Sequence, residues 1–131
     1  MARIGWLTLR RRYSDAAETL LRSVYAYRDG GTAWDAFPEE WRRAGRDNAK
    51  ATLADLRDSI GVYPSPADLA TVDAPIVCTY GARSPDSIIR LVHSLASAIP
   101  TARTHRIEAA GHAAPFDATT DFVHVIADTI G

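Results

Sequence analysis

One cysteine, one methionine and one lysine are scattered through 131 residues. A lone thiol excludes a disulfide framework and a cysteine-built metal knuckle. Cys78 sits in the apolar run Ile76-Val-Cys-Thr-Tyr80, so it reads as a small buried hydrophobe. No apolar stretch approaches the ~20 residues of a membrane span. The opening Met1-Ala-Arg-Ile-Gly-Trp-Leu-Thr-Leu9 is too short, and too soon followed by three arginines, for a secretory leader. A formal net charge of −1 gives nucleic acid or an anionic membrane nothing to hold. Lys50 alone breaks the arginine monopoly among the 15 basic residues, a bias that by itself carries no function. The expectation is a cytoplasmic protein that contacts neither nucleic acid nor membrane.

What is present suits one globular domain. Hydrophobic residues make up 47% and charged residues 24%, which excludes a disordered or fibrous chain. Residues 1–12 are ambiguous, since Ile4, Trp6 and Leu7 fit a frayed helix or a short strand. Asp15 and Glu18 have capping-box spacing, and Ala17, Leu20, Leu21, Val24 and Tyr25 follow on one helical stripe. Asp29-Gly-Gly31 stops that helix. After the aromatic stretch Thr32–Phe37, Pro38-Glu39-Glu40 opens a second helix that Gly45 is expected to break. A third, roughly 47–60, puts Leu53, Leu56 and Ile60 on one side. Val62 to Pro66 reads as a linker.

The second half changes character. Ile76–Tyr80 is continuously apolar or weakly polar, the pattern of a parallel strand covered on both faces. A helix from about Asp86 to Ile99, with Ile88, Ile89, Leu91, Val92 and Leu95 on a broad buried face, supplies the crossover. A second strand spans Arg103 to Glu108. Two strands are marginal alone, and a strand of this kind needs neighbours. Residues 1–12 could add a strand, the chain could self-associate, or it could belong to something larger.

Four segments then carry a resemblance, from about residue 15 to the C-terminus. Thr32-Ala-Trp34-Asp-Ala-Phe37-Pro38-Glu39-Glu40-Trp41-Arg42 resembles the lid of bacterial α/β-hydrolases. Asp73-Ala-Pro-Ile-Val-Cys-Thr-Tyr-Gly81-Ala-Arg-Ser84-Pro85 resembles their seventh strand and its turn. Ile99-Pro100-x-Ala102 and then Ile107-x-Ala-Ala-Gly111-His112 are similar to the approach to the eighth strand and the catalytic histidine. Phe122-Val-x-x-Ile126 is similar to the closing helix. The fold class implied is α/β, a partial α/β-hydrolase fold: a helical lid over residues 1–66, then strand–helix–strand–helix with parallel strands over residues 67–131.

The resemblance makes His112 the general base, with Gly111 letting the backbone turn beneath it. The family's usual carboxylate lies three residues past the strand-ending glycine, where this chain has Ser84. Asp86 is the candidate acid, and it equally suits the start of a helix. Trp34, Phe37 and Trp41 are candidate substrate-binding residues beneath a lid; the same rings would serve as the lid's own packing. No G-x-S-x-G occurs, so no nucleophile is placed. His93, His105 and His124 lack ligand spacing, and neither metal nor cofactor is expected.

The implied ancestral activity is hydrolysis of ester-like bonds in small apolar substrates, silent in this chain alone. The alternatives are a non-catalytic binding or assembly module, and a half that completes its site with a separate N-terminal fragment. The partners foreseen are accordingly a small-molecule substrate once the site is complete, and a missing half or a second copy.

Overall fold

The computed structural model describes residues 2–58 and 64–130. The chain forms two compact units, one from residues 1–25 and 32–63, the other from residues 26–31 and 64–131. The first is all helical and the second is mixed α/β. No helix among the described residues is long and apolar enough to cross a membrane.

In the helical unit, α1 (Ala2–Leu9) resolves the ambiguous opening as helix. Ile4 and Leu7 lie three apart, on one helical face, and are buried with Ala16 of α2 (Tyr13–Val24), with Leu20 and Leu53 packed around them. Ile4 and Leu7 each stabilise the unit by roughly 2 kcal/mol. Because residues 2–9 are helical, they add no strand to the sheet, which removes one of the three alternatives. The turn out of α1 places Arg11 at φ 57°. There the amide of Arg12 donates to Leu7 O at 2.9 Å, closing the helix as a glycine would.

α2 begins at Tyr13 and not at a capping box on Asp15. Arg12 precedes it without a side-chain cap, and Asp15 instead takes Arg12 Nε at 2.6 Å. Glu18 Oε1 accepts from Arg22 Nε and from the indole of Trp34, and Oε2 lies 3.7 Å from Arg46, so the carboxylate is drawn to these partners and not back to a cap.

α3 (Glu39–Asp47) starts after Pro38, as its sequence predicts, but runs through Gly45. A Cβ on Gly45 would lie 2.8 Å from the Trp34 ring and 2.9 Å from Leu21 Cδ1. The glycine is therefore a packing requirement, not a break. α4 (Ala49–Asp58) follows. Of the stripe expected at Leu53, Leu56 and Ile60, only the Leu53 side chain lies within the described residues. The same holds for part of the linker, where Val62 and Tyr63 fall outside them.

In the second unit, α5 (Pro66–Leu69) is a single turn capped reciprocally by Ser65 and Asp68. β1 (Ile76–Gly81) and β2 (Ala102–Ile107) pair in parallel, Ile76 opposite Ala102 and Gly81 opposite Ile107. Thr101 Oγ1 ties the start of β1 by donating to Ala74 O at 2.6 Å. Between the strands runs α6 (Asp86–Ala98), the crossover that parallel pairing needs.

The Tyr80 ring meets His93 of α6 edge-on at 4.9 Å. Val77 and Thr79, which point the other way along the strand, border a groove with Phe122, Val125 and Ile126 of α8 (Thr119–Ile130). One helix thus lies over each face of β1, the arrangement its unbroken apolar run implies. The cover is incomplete. Cys78 and its neighbours in β1 are half-buried, not fully buried, and Arg103 to Arg106 in β2 are exposed. Leu91 and Leu95 of α6, expected on its buried face, are 64% and 41% exposed. No third strand pairs with either outer edge among the described residues.

Candidate functional site

Both strands end at the same side of the sheet, where open α/β sheets present their functional loops. The turn after β1 and the loop after β2 are laced together by backbone bonds. Ala82 N donates to Ile107 O, and Arg83 N to Ala110 O, each at 2.9 Å. A Cβ on Gly81 would stand 2.2 Å from Ala110 O and 2.3 Å from Gly111 O. Only glycine allows the two loops to approach so closely.

His112 follows directly, exposed at the mouth of the β2 loop before the short α7 (Ala114–Asp117). Its position depends on Gly111, whose role differs from the one expected. Gly111 is not among the residues of positive φ. A Cβ there would instead strike the Tyr27 ring at 2.7 Å, so the missing side chain makes room for the tyrosine.

Tyr27 and Asp117 were not singled out by the sequence, yet they hold this loop. The Tyr27 hydroxyl donates to Asp117 Oδ1 at 2.7 Å, and Gly111 N donates to Asp117 Oδ2 at 2.8 Å. Burial and the neighbouring carboxylate push the Tyr27 hydroxyl up to about 12, so it remains a donor throughout the neutral range. The Arg83 guanidinium lies 3.8 Å from the centroid of the Tyr27 ring. It also grips Asp29 through two nitrogens, at 3.1 and 3.4 Å, which holds the Asp29 carboxyl below its ordinary range. Gly30 and Gly31, at φ 100° and 76°, turn residues 27–31 back so that both Tyr27 and Asp29 can reach. The only sequence signal for this arrangement was the Asp29-Gly-Gly31 turn itself, legible as a helix stop and nothing more.

The candidate acid Asp86 and Ser84, at the family's usual carboxylate position, have different surroundings. Asp86, the first residue of α6, is 61% exposed and pairs with Arg28 Nη2 at 3.0 Å. That ion pair, and no bond to an imidazole, is what occupies its carboxylate among the described residues. Ser84 is 1% exposed, and its hydroxyl has no hydrogen-bond partner among them. A buried hydroxyl left unsatisfied costs about 1–3 kcal/mol.

The three aromatic candidates lie in the helical unit. Trp34 and Phe37 are 2% and 8% exposed, their rings edge-to-face with centroids 6.0 Å apart. Phe37 also meets Tyr25 at 5.0 Å and Trp41 at 5.7 Å. Trp41 is half exposed. Trp34 and Phe37 thus form the unit's packing, and Trp41 alone offers a broad accessible surface. No three His, Cys, Asp or Glu side chains gather as metal ligands among the described residues.

No known protein family's profile matches the chain, and no curated protein or solved structure is significantly similar to it.

Proposed function

We propose that this chain is the lid and C-terminal portion of an α/β-hydrolase-type protein, with His112 as the general base for hydrolysis of ester-like bonds in a small apolar substrate. The observation that carries the reading is the exposed His112 at the carboxyl end of a parallel strand pair, on a loop fixed through Gly111 and Asp117. As general base, the imidazole takes the proton from an attacking hydroxyl and returns it to the leaving group. The nucleophile comes from other polypeptide, since the sequence holds no G-x-S-x-G. Asp86 orients the imidazole only if it leaves Arg28.

A second reading has a specific observation behind it. The residue three past Gly81, Ser84, is buried and uncharged, and the nearest acid in sequence is committed to an arginine. A histidine without an orienting carboxylate is a poor base, which favours a non-catalytic binding module. A panel of p-nitrophenyl esters tests both, with purified chain and His112→Ala compared. No turnover from either protein alone is the expected result. Turnover by the chain that is lost in His112→Ala would overturn the proposed dependence on a separate nucleophile. Turnover that survives the substitution would overturn the role given to His112.

A further inference from the structure

A recess of about 240 Å³ opens beside the end of β1, within the α/β unit. Three arginines converge on it from three elements: Arg28 from the 26–31 turn, Arg90 from α6, and Arg106 from β2. Tyr80 and Ile89 contribute an apolar wall, and Asp86 is the one acid in the lining.

The charges do not cancel. Arg28 is paired with Asp86 at 3.0 Å, and Arg106 with Glu108 at 2.8 Å, just outside the recess. Arg90 has no ion-pair partner among the described residues. Guanidinium groups stay charged at every pH the protein meets, so the excess positive charge is permanent. Like charges brought to one concavity repel one another, and an anion lying between them relieves the repulsion. Planar guanidinium forks suit an oxyanion, while the tyrosine and isoleucine suit a small apolar body attached to it.

We propose that this recess binds a small organic oxyanion, a carboxylate or phosphoryl group carrying a short apolar or aromatic body. Arg90 is the anchor, Arg106 and Arg28 flank it, and the body lies on Tyr80 and Ile89. Asp86 is the internal counter-ion that the ligand displaces from Arg28. The site is built from one unit of this chain and does not depend on the hydrolytic reading.

The test is a titration of the full chain at low salt with phenyl phosphate, benzoate and inorganic phosphate, followed by NMR of the arginine Nε–H signals. Saturable shifts at Arg90 and Arg106 are expected from an aromatic oxyanion, with inorganic phosphate weaker for want of an apolar body. The tighter of phenyl phosphate and benzoate identifies the head group. Arg90→Gln should weaken binding about tenfold, the worth of one charged hydrogen bond. Asp86→Asn should tighten it by releasing Arg28, and added salt should weaken it. Both residues are exposed, and the same spectra report whether each variant is folded. Affinity unchanged by Arg90→Gln, or shifts that never saturate, would overturn the site.

Discussion

Tyr27 and Asp117 are joined by a 2.7 Å hydrogen bond across 90 residues of sequence, and the second oxygen of that carboxylate holds the amide of Gly111. The loop that bears His112 is therefore positioned by one carboxylate with two donors. Either donor lost leaves a half-buried oxygen unsatisfied.

Tyr27→Phe should lower stability by about 1 kcal/mol near pH 8. The hydroxyl's folded pKa, about 12, lies above the ordinary tyrosine value. Its contribution is therefore complete below about pH 10 and is lost as pH rises through about 12. Denaturant unfolding at pH 8 and pH 11 checks this. The native chain should lose more stability than Tyr27→Phe over that interval, and parallel losses would show that the bond contributes nothing.

Gly45→Ala separates propensity from packing. Alanine in a helix interior gains about 1 kcal/mol over glycine, but here its Cβ meets Trp34 and Leu21 at under 3 Å. Overpacking costs about 1–3 kcal/mol, so a net loss in thermal stability is expected. Gly81→Ala should be worse, because the obstacles are backbone oxygens that cannot rotate away. Melting temperatures rank the two, and a stabilised Gly45→Ala would refute the packing role.

Ser84→Ala should raise stability by about 1 kcal/mol, by removing a buried hydroxyl that finds no partner among the described residues. Chemical denaturation measures it directly. A loss of similar size would mean that the hydroxyl is satisfied in solution.

Much of this arrangement was legible beforehand, and the reasons are local. Ile76–Tyr80 announced a strand lying between two layers because its apolar run ignores the two-residue alternation. The length of the Asp86–Ile99 segment announced a crossover, and the pairing is parallel. The N-terminal helix was not legible, since Ile4, Trp6 and Leu7 satisfy either periodicity until α2 packs against them. Gly45 was misread because its neighbours, Trp34 and Leu21, are distant in sequence. The hold on the His112 loop was missed for the same reason. No local pattern marks Tyr27 as the partner of Asp117, and Asp86 could not be seen to face Arg28. Propensity and spacing report on near neighbours, whereas these roles are set by chain that returns from far away.

Self-association is expected of the isolated chain. Each strand has an outer edge with no partner strand among the described residues, and Leu91, Val123 and Ile126 are about half exposed or more. Light scattering coupled to size exclusion should find species larger than one chain at micromolar concentration. A monodisperse monomer that melts cooperatively would argue that the sheet needs no neighbour.

The most direct measurement mixes this chain with N-terminal α/β-hydrolase halves that carry G-x-S-x-G and follows p-nitrophenyl ester hydrolysis. His112→Ala and Asp86→Asn serve as controls. The chain alone should be silent, and a matching half should restore turnover that falls by at least about a hundredfold in His112→Ala. Hydrolysis by the unaided chain, or restored turnover indifferent to His112, would contradict the proposal that this histidine faces a nucleophile from other polypeptide.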